Sequence, residues 1–232
     1  MNTQEQLESC KRAAAEAAAE YVRDGQVIGL GTGSTARHLI LAIGRRCKDG
    51  LRVQGVPTSR DTAALAKQAG IPLLETEDSW DIDVTIDGAD QVDPQFNLIK
   101  GGGGALLKEK IVAAAARQLV IMVDYTKRVP VLGSPFPLPV EVVPFGWGST
   151  ARQIETMGIR PVLRERSGKV FITEAGHYIL DLHVDKIANP ADLERQLNEI
   201  PGVVETGLFV GRTDVLIVGT PQGVEVQEAG RH

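Results

Sequence analysis

The sequence is poor in cysteine. It contains two cysteines in 232 residues, Cys10 and Cys47, and they fit neither a metal-binding spacing nor a disulfide framework. A protein with so few thiols is suited to a reducing compartment. This scarcity indicates a cytosolic protein without a disulfide scaffold.

An excess of positive charge and a long apolar run are also absent. Lys and Arg number 25 against 30 Asp and Glu, a net charge of −5 that argues against a general nucleic-acid binder. Any bound anion must therefore be held by a local site. The opening segment MNTQEQLESCKRAAAEAAAE lacks the apolar core of a signal sequence, and no apolar run approaches the roughly 20 residues that span a bilayer. We expect a cytoplasmic protein with no nucleic-acid or membrane partner.

Short apolar segments alternate with helix-forming segments in the first part of the chain. With 43% hydrophobic residues, the chain can form one large domain or two smaller ones. Strands that alternate with helices, and apolar runs that are continuous, are typical of an α/β fold with a doubly wound, mostly parallel, Rossmann-like sheet. The predicted strands of this sheet are QVIGLG, LRVQGVPTS, IPLLET, DIDVTIDGAD and LVIMVDY.

A proline-rich segment marks a predicted domain junction. Residues 129–144, VPVLGSPFPLPVEVVP, hold five of the 12 prolines. The order beyond this segment is β-α-β-β-α-β, which is typical of a small ferredoxin-like α+β sandwich. The apolar run TDVLIVGT, at 213–220, predicts a strand that returns to the first sheet. We therefore predict a Rossmann-like catalytic domain of residues 1–132 and 210–232, with a ferredoxin-like domain of residues 133–209 inserted before the last strand.

Three unusual stretches fall at carboxyl ends of predicted strands, where open parallel sheets bind their ligands. The first, GTGSTA at 31–36, joins a strand to a helix start, where free N–H groups and the helix dipole favour an anion. We interpret it as a single-phosphate site, with Ser34 and Thr35 as hydroxyl donors. It also matches a dinucleotide fingerprint, but PTSR stands where a ribose-binding acid would close the second strand. A glycine turn with Ser/Thr helix capping is the simpler alternative.

The second stretch crowds aspartates where DIDVTIDGAD leaves its strand. Asp87 and Asp90 flank Gly88 and Ala89, which are small enough for a ligand to approach both carboxylates. Such a pair can bind sugar hydroxyls, transfer protons or contribute to a magnesium site, although no further cluster is spaced to complete one. An aspartate-rich turn with side-chain caps is the alternative, and it explains Asp90 better than Asp87.

The third stretch is KGGGGALLKEK, at 100–110. Its glycines would let backbone amides surround a small polar ligand beside the Lys100 cation, unless they are only a flexible linker. On the helix that follows, Glu109 has only apolar neighbours three and four residues away. Burial of its carboxylate is therefore unfavourable unless the group is paired with another side chain or has a function. A solvated helix edge is the alternative for Glu109. Lys127, after the next strand, is either a phosphate contact or a surface lysine.

Together, GLGTGSTA, DGAD and KGGGGALLKEK, in this order and spacing, closely resemble the A type of ribose-5-phosphate isomerase. The resemblance continues through DYTKRV, FPLPVEVVP, ARQIETMG, IPGVVETGLF and VLIVGTP, and so covers nearly the whole chain. It implies interconversion of ribose 5-phosphate and ribulose 5-phosphate in the non-oxidative pentose phosphate pathway. It further implies that the protein uses no cofactor and no metal, and that it forms a homodimer or homotetramer.

The resemblance also assigns roles residue by residue. Glu109 would be the proton acceptor, with Asp87 and Lys100 as further catalytic groups. The implied substrate-binding residues are Thr32, Gly33, Ser34, Thr35, Asp87, Gly88, Ala89, Asp90, Lys100, Gly101, Gly102, Gly103 and Lys127. The implied reaction passes through an enediolate, for which a desolvated carboxylate is a suitable base. Lys100 and backbone amides would stabilise the oxyanion.

Two other functions are compatible with parts of the pattern. A dehydrogenase could use GTGSTA for NAD, and a non-catalytic sensor could bind a sugar phosphate on a related fold. A nicotinamide-dependent absorbance change would indicate the first. The second is disfavoured because the chain has no spare length for a DNA-binding helix-turn-helix segment.

Overall fold

The structure is a computed structural model that describes residues 3–75 and 79–230. The helices are α1 (Thr3–Ala19), α2 (Ser34–Lys48), α3 (Arg60–Gln68), α4 (Leu106–Ala114), α5 (Trp147–Glu155) and α6 (Pro190–Asn198), with a 3-10 turn at Tyr125–Lys127. The strands are β1 (Val27–Leu30), β2 (Gln54–Pro57), β3 (Val84–Asp87), β4 (Gln91–Val92), β5 (Leu98–Ile99), β6 (Leu119–Asp124), β7 (Leu138–Val142), β8 (Arg160–Leu163), β9 (Glu165–Arg166), β10 (Lys169–Val170), β11 (Tyr178–His183), β12 (Val203–Thr206), β13 (Leu208–Phe209), β14 (Val215–Thr220) and β15 (Gly223–Glu228).

The described chain divides into two compact units. The first unit comprises the described residues of 1–89, 108–127 and 212–232, and the second comprises residues 90–107 and 128–211. The predicted domains differ from these units mainly at residues 90–107, which the prediction kept with the first domain. These residues belong to the second unit because β4 and β5 form a three-stranded sheet with β13.

The first unit is built on a six-stranded sheet in the order β2-β1-β3-β6-β14-β15. The first five strands run parallel, and β15 pairs antiparallel with β14 at the edge. All six residues of β6 are buried, as expected for a strand covered on both faces. The predicted mostly parallel α/β sheet is confirmed. Strand β15 was not predicted, because all of its residues are exposed and no apolar run marks it.

Helices cover both faces of this sheet. Val84 and Ile86 of β3 belong to an apolar cluster with side chains of α1 and α2. Between them, the Thr85 hydroxyl donates to the backbone oxygen of Val112 in α4, at 3.3 Å. Alternate residues of a strand point to opposite faces, so α4 lies on the face opposite to α1 and α2. This is the doubly wound arrangement that the sequence predicts.

Two local predictions differ from the structure. The predicted strand IPLLET forms only an isolated bridge, between Leu73 and Gly55, and its last residue lies outside the described residues. The helix predicted over ALLKEKIVAAAARQ ends at Ala114. Beyond it, Ala116 bridges to Ile82 and the Arg117 N–H donates to the Ile82 carbonyl at 2.9 Å, so the chain has already turned towards β6.

The second unit contains an antiparallel sheet in the order β12-β7-β11-β8, with α5 and α6 as its helices. Its elements follow the predicted β-α-β-β-α-β order, and the strand order is that of a ferredoxin-like sandwich. Leu138, Val140, Leu180 and Leu182 lie in its apolar core. A two-stranded hairpin, β9-β10, precedes β11. Among the described residues, no helix combines the length and the apolar character needed to cross a bilayer.

Candidate active site

Three predicted site segments of the first unit meet at one edge of its sheet. Because β1, β3 and β6 are parallel and in register, their carboxyl ends lie side by side. The helix-start loop, Gly31–Thr35, follows β1, the turn Asp87–Ala89 closes β3, and Lys127 lies in the 3-10 turn after β6. The predicted shared edge is confirmed for these segments. It is wrong for the third predicted stretch, KGGGGALLKEK, because Lys100 follows β5, which belongs to the antiparallel β13-β5-β4 sheet of the second unit.

The helix-start loop enters α2 through a glycine. Gly33 is the N-cap residue with φ 115°, and in this described part of the chain no side chain caps the helix. The Ser/Thr-capping alternative therefore does not describe this turn. Ser34 is exposed and Thr35 half-buried in the first turn, beside the positive end of the helix dipole. This arrangement suits a phosphate group.

Thr32 has a different role from its neighbours, because its hydroxyl belongs to a buried cluster of hydroxyl groups. Thr32 Oγ1 lies 2.7 Å from Thr58 Oγ1, 2.9 Å from Ser59 Oγ and 3.2 Å from Thr62 Oγ1. Thr62 also donates to the backbone oxygen of Gly31, at 2.9 Å. This hydroxyl cluster, which was not predicted from the sequence, fixes the start of the loop. The available signal was the group of Ser and Thr residues between β2 and the first turn of α3.

Asp87 fixes the same loop from the other side. Its side chain is buried, and Oδ1 accepts hydrogen bonds from the backbone N–H of Gly88 at 2.7 Å and of Thr32 at 3.1 Å. A Cβ on Gly31 would lie 2.0 Å from Asp87 Oδ1, so only glycine fits where the strand passes the carboxylate. The structure thus brings Gly31, Thr32, Asp87 and Gly88 together.

Glu109 lies in the first turn of α4, in the first unit. It is 5% exposed, and Val112, one turn further on, is also buried. The solvated-edge alternative is therefore wrong for this residue. A nearly buried carboxylate at a helix start is a candidate acid or base.

Lys127 is half-buried at the end of the 3-10 turn after β6. Buried Asp124 holds this turn: its Oδ1 accepts from the Thr126 N–H at 3.0 Å and from the Thr126 hydroxyl. The turn therefore holds the backbone of Lys127 in a fixed position at the sheet edge. Asp124 itself was not predicted as a site residue.

The two cysteines offer no reactive nucleophile. Burial raises the pKa of the Cys10 thiol, and the nearby charge of Asp124 raises it further. Burial also raises the pKa of Cys47. Both thiols therefore stay protonated near neutral pH, which agrees with their absence from every motif in the sequence.

In the second unit, Lys100 follows β5 and is almost completely buried. Its N–H donates to the backbone oxygen of Gly207 at 2.8 Å, and its Nζ lies 5.5 Å from the centre of the Phe209 ring. A Cβ on Gly207 would lie 2.3 Å from the Lys100 carbonyl oxygen. Gly207 therefore packs against the backbone of Lys100, and Phe209 lies beside its ammonium group. Both lie in IPGVVETGLF, which carries part of the family resemblance, but neither was predicted as a site residue.

The tetraglycine loop, Gly101–Gly104, is a defined turn. The Gly102 N–H donates to Asp90 Oδ2 at 2.8 Å, and the Gly104 N–H donates to the Gly101 carbonyl at 3.0 Å. Gly101 and Gly104 have φ values of 100° and 91°, which favour glycine. A Cβ on Gly104 would also lie 2.4 Å from the Phe171 ring. The linker alternative is wrong for these residues.

The crowded aspartates of DIDVTIDGAD thus have separate partners. Asp87 accepts backbone hydrogen bonds from the helix-start loop, and Asp90 accepts one from the tetraglycine loop. In the described ranges, no group of three or more His, Cys, Asp or Glu side chains is arranged to hold a metal ion. The arrangement favours loop anchoring as a role of both aspartates.

The parallel sheet, a helix start suited to an anion and a buried carboxylate in the same unit are features of an α/β enzyme that acts on a small phosphorylated substrate. The family model of ribose 5-phosphate isomerase A (phosphoriboisomerase A) matches residues 54–223, and the chain belongs to this family. It therefore interconverts ribose 5-phosphate and ribulose 5-phosphate, a reaction of the pentose phosphate pathway. The function predicted from the sequence is confirmed.

Individual relatives agree over nearly their full length. The chain is 47% identical to the ribose-5-phosphate isomerase A of Bradyrhizobium diazoefficiens, over 96% of each protein. It is similar to a solved D-ribose-5-phosphate isomerase in complex with phospho-erythronic acid, with a TM-score of 0.93, 40% identity, and coverage of 98% of this chain and 100% of that one. The enzyme of Methanocaldococcus jannaschii gives a TM-score of 0.91 and 41% identity, over 95% of this chain and 99% of that one.

Proposed function

We propose that Glu109 is the base of the isomerisation. The observation that carries this proposal is its burial in the first turn of α4, with 5% exposure. A carboxylate largely removed from water is suited to accept a proton from carbon. The family resemblance assigns the same role to this position.

The proposed reaction transfers one proton between neighbouring carbons of the open-chain sugar. Glu109 takes the proton from C2 of ribose 5-phosphate, the C2–H electrons form the C1–C2 double bond, and the C1 carbonyl electrons move onto O1. The O2 proton of the resulting enediolate then moves to O1, and the O2 electrons form the C2 carbonyl. The electrons of the C1–C2 double bond take a proton at C1 from the carboxylic acid of Glu109. The net change moves one hydrogen from C2 to C1 and one from O2 to O1, so no oxidant or reductant is needed.

We propose that Lys100 stabilises the developing oxyanion, together with backbone N–H groups of Gly101, Gly102 and Gly103. The burial of Lys100 supports this role, because an ammonium group held away from water interacts strongly with a developing negative charge. Asp87 and Asp90 would contact the sugar hydroxyls, and Asp87 would help to open the ring and to move the hydroxyl proton.

The phosphate group is proposed to bind the helix-start loop. The N-terminus of α2, with Gly33, Ser34 and Thr35, supports this assignment, and Lys127 would add a cation at the same sheet edge. Phospho-erythronic acid, which is bound in a solved relative, carries the same kind of phosphate ester. Binding the unreactive phosphate would orient the reacting carbons.

Labelled substrate tests the proton-transfer mechanism. Ribose 5-phosphate carrying deuterium at C2 is converted in ordinary water, and the label in ribulose 5-phosphate is measured by mass spectrometry. A base that takes up the label and exchanges it with water gives product with partial loss of deuterium. The Glu109→Gln variant should abolish this loss together with turnover. Normal loss of label in that variant would assign the base to another residue.

We also propose that the protein works as a homodimer or homotetramer in the cytoplasm, without a metal or cofactor. The family resemblance supports the assembly, and the low cysteine content supports the compartment. Light scattering behind a sizing column measures the assembly state directly. A monomer at micromolar concentration that retains full activity would contradict the proposed assembly.

A further inference from the structure

A short hairpin of the second unit carries two arginines beside the tetraglycine loop. Its strands β9 and β10 pair across a turn in which Ser167 and Gly168 have φ values of 53° and 72°. Such positive φ values match the two-residue turn that best suits a twisted hairpin. The pairing extends by one hydrogen bond, from the Phe171 N–H to the Arg164 carbonyl at 2.9 Å. This turn therefore sets where Arg164 and Arg166 emerge.

Arg164 is held rigidly by an aspartate of the neighbouring strand. Its Nε donates to Asp181 Oδ2 at 2.8 Å, and its Nη2 donates to Asp181 Oδ1. The two side chains are only 10% and 18% exposed, so water competes little with this two-pronged pair. Fixing two guanidinium nitrogens in this way also fixes the direction of the third.

That third nitrogen binds the tetraglycine loop. Arg164 Nη1 donates to the carbonyl oxygen of Gly101 at 2.8 Å and to that of Gly102 at 3.3 Å. The more exposed Arg166 donates from Nη2 to the Gly103 carbonyl at 3.1 Å, and its guanidinium lies 4.3 Å from the centre of the Phe171 ring. The carbonyls of three successive glycines are thus bound by arginines.

The N–H groups of the same peptides are used differently. The Gly102 N–H donates to Asp90, whereas in this part of the described chain the N–H groups of Gly101 and Gly103 donate to no protein acceptor. Donors fixed in place, with their carbonyls already bound, are suited to bind an oxyanion. Without the arginines, four consecutive glycines would have many other conformations available.

We propose that Arg164, held by Asp181, is a positioning residue that fixes the tetraglycine loop for catalysis. It acts through the loop carbonyls and not on the substrate. This inference rests on the proposed function, in which the loop N–H groups bind the reacting end of the sugar. Lysine cannot replace Arg164, because an ammonium group cannot hold Asp181 by two parallel bonds and still reach the loop in the same plane.

The test compares two inhibitors on the Arg164→Lys variant. Phospho-erythronic acid has both a phosphate and a carboxylate, whereas inorganic phosphate represents only the group assigned to the helix-start loop. We expect kcat/KM to fall about tenfold to hundredfold, since a misplacement of about 1 Å can cost a factor of about 10². The inhibition constant of phospho-erythronic acid should rise by a similar factor, and that of inorganic phosphate should stay within about twofold of wild type.

Two further variants complete the test. Arg195→Lys is the matched control, because Arg195 also pairs with carboxylates in the second unit but is 60% exposed and is bonded to Asp192 and Glu199. It should behave as wild type. Asp181→Asn should show the same selective loss as Arg164→Lys, and the double variant should lose little more than either single one. If Arg164→Lys does not fold, Asp181→Asn carries the inhibitor comparison.

The outcomes separate the inference from the proposed function on which it rests. Unchanged kinetics in the Arg164 and Asp181 variants would overturn the positioning role, and so would an equal loss of affinity for both inhibitors. Failure of phospho-erythronic acid to compete with substrate in the wild-type enzyme would instead contradict the proposed function. A selective loss for the sugar acid, with phosphate binding retained, would support both.

Discussion

The helix-start loop and the tetraglycine loop are both rich in glycine, but different groups hold them in place. Both present backbone N–H groups of glycine-rich segments, and each is anchored by one aspartate, Asp87 for the first and Asp90 for the second. The helix-start loop is held by residues that follow the neighbouring strand β2, among them the hydroxyls of Thr58 and, in α3, of Thr62. The tetraglycine loop depends on arginines that follow it by more than 60 residues.

This difference suggests a division of labour. Besides the Asp87 carboxylate, the helix-start loop is held by neutral hydroxyl groups, so the positive end of α2 is the feature that suits the constant charge of a phosphate. Guanidinium groups on the carbonyls of the tetraglycine loop polarise its peptide groups, which strengthens the remaining N–H donors. Such donors are most useful where charge develops during the reaction. On this view the helix-start loop binds the phosphate and the tetraglycine loop stabilises the oxyanion. Glu109 alone transfers the proton between carbons.

The largest effect is expected from Glu109→Gln. The amide keeps the size of the side chain but removes the basic oxygen, and loss of a general base costs about 10²–10⁴-fold in rate. The loss should appear in kcat, measured by ketose formation, because the substitution leaves the proposed substrate contacts of both loops unchanged. Glu75→Gln, at an exposed glutamate, is the control and should keep wild-type rates. Near-normal kcat in the Glu109 variant would show that another residue transfers the proton.

Gly31→Ala tests how tightly the helix-start loop is packed. The added Cβ would lie 2.0 Å from Asp87 Oδ1, so the loop or the carboxylate must move. Overpacking of this kind costs about 1–3 kcal/mol in the free energy of unfolding, which urea titration measures. Gly103→Ala is the comparison in the other loop, where nothing lies within 4 Å of the added carbon, and its stability should change by less than about 0.5 kcal/mol. Equal destabilisation of the two variants would show that both loops are equally packed.

The same contrast explains what the sequence could predict. The helix-start loop was recognisable because Gly31, Ser34 and Thr35 follow a strand directly, and a strand-to-helix turn has few possible structures. The five parallel strands of the six-stranded sheet were likewise predictable from their apolar runs, as in β6, whereas the exposed β15 was not. The roles of Arg164 and Asp181 were not, because they depend on contacts between residues far apart in sequence, and a charged residue in a strand is usually a solvated one.

Ser34→Ala should weaken phosphate recognition more mildly. Loss of one hydrogen bond to a charged group costs about 1.5 kcal/mol, or roughly tenfold in affinity. We expect KM for ribose 5-phosphate to rise by about this factor, while kcat changes little. Ser149→Ala, at an exposed serine in the first turn of α5, is the matched control. If kcat falls instead of KM rising, the helix-start loop takes part in the reaction and the division of labour is wrong.

The smallest expected effect is that of metal removal. Asp87 and Asp90 each accept a hydrogen bond from the backbone of one loop, and a metal ion bound to either carboxylate would compete for its oxygens. Exhaustive chelation, followed by assay in metal-free buffer, should therefore leave kcat and KM unchanged. The control is to add magnesium back, because restored activity would show that chelation had removed a functional ion. In that case the aspartates would be metal ligands, and loop anchoring would not be their main role.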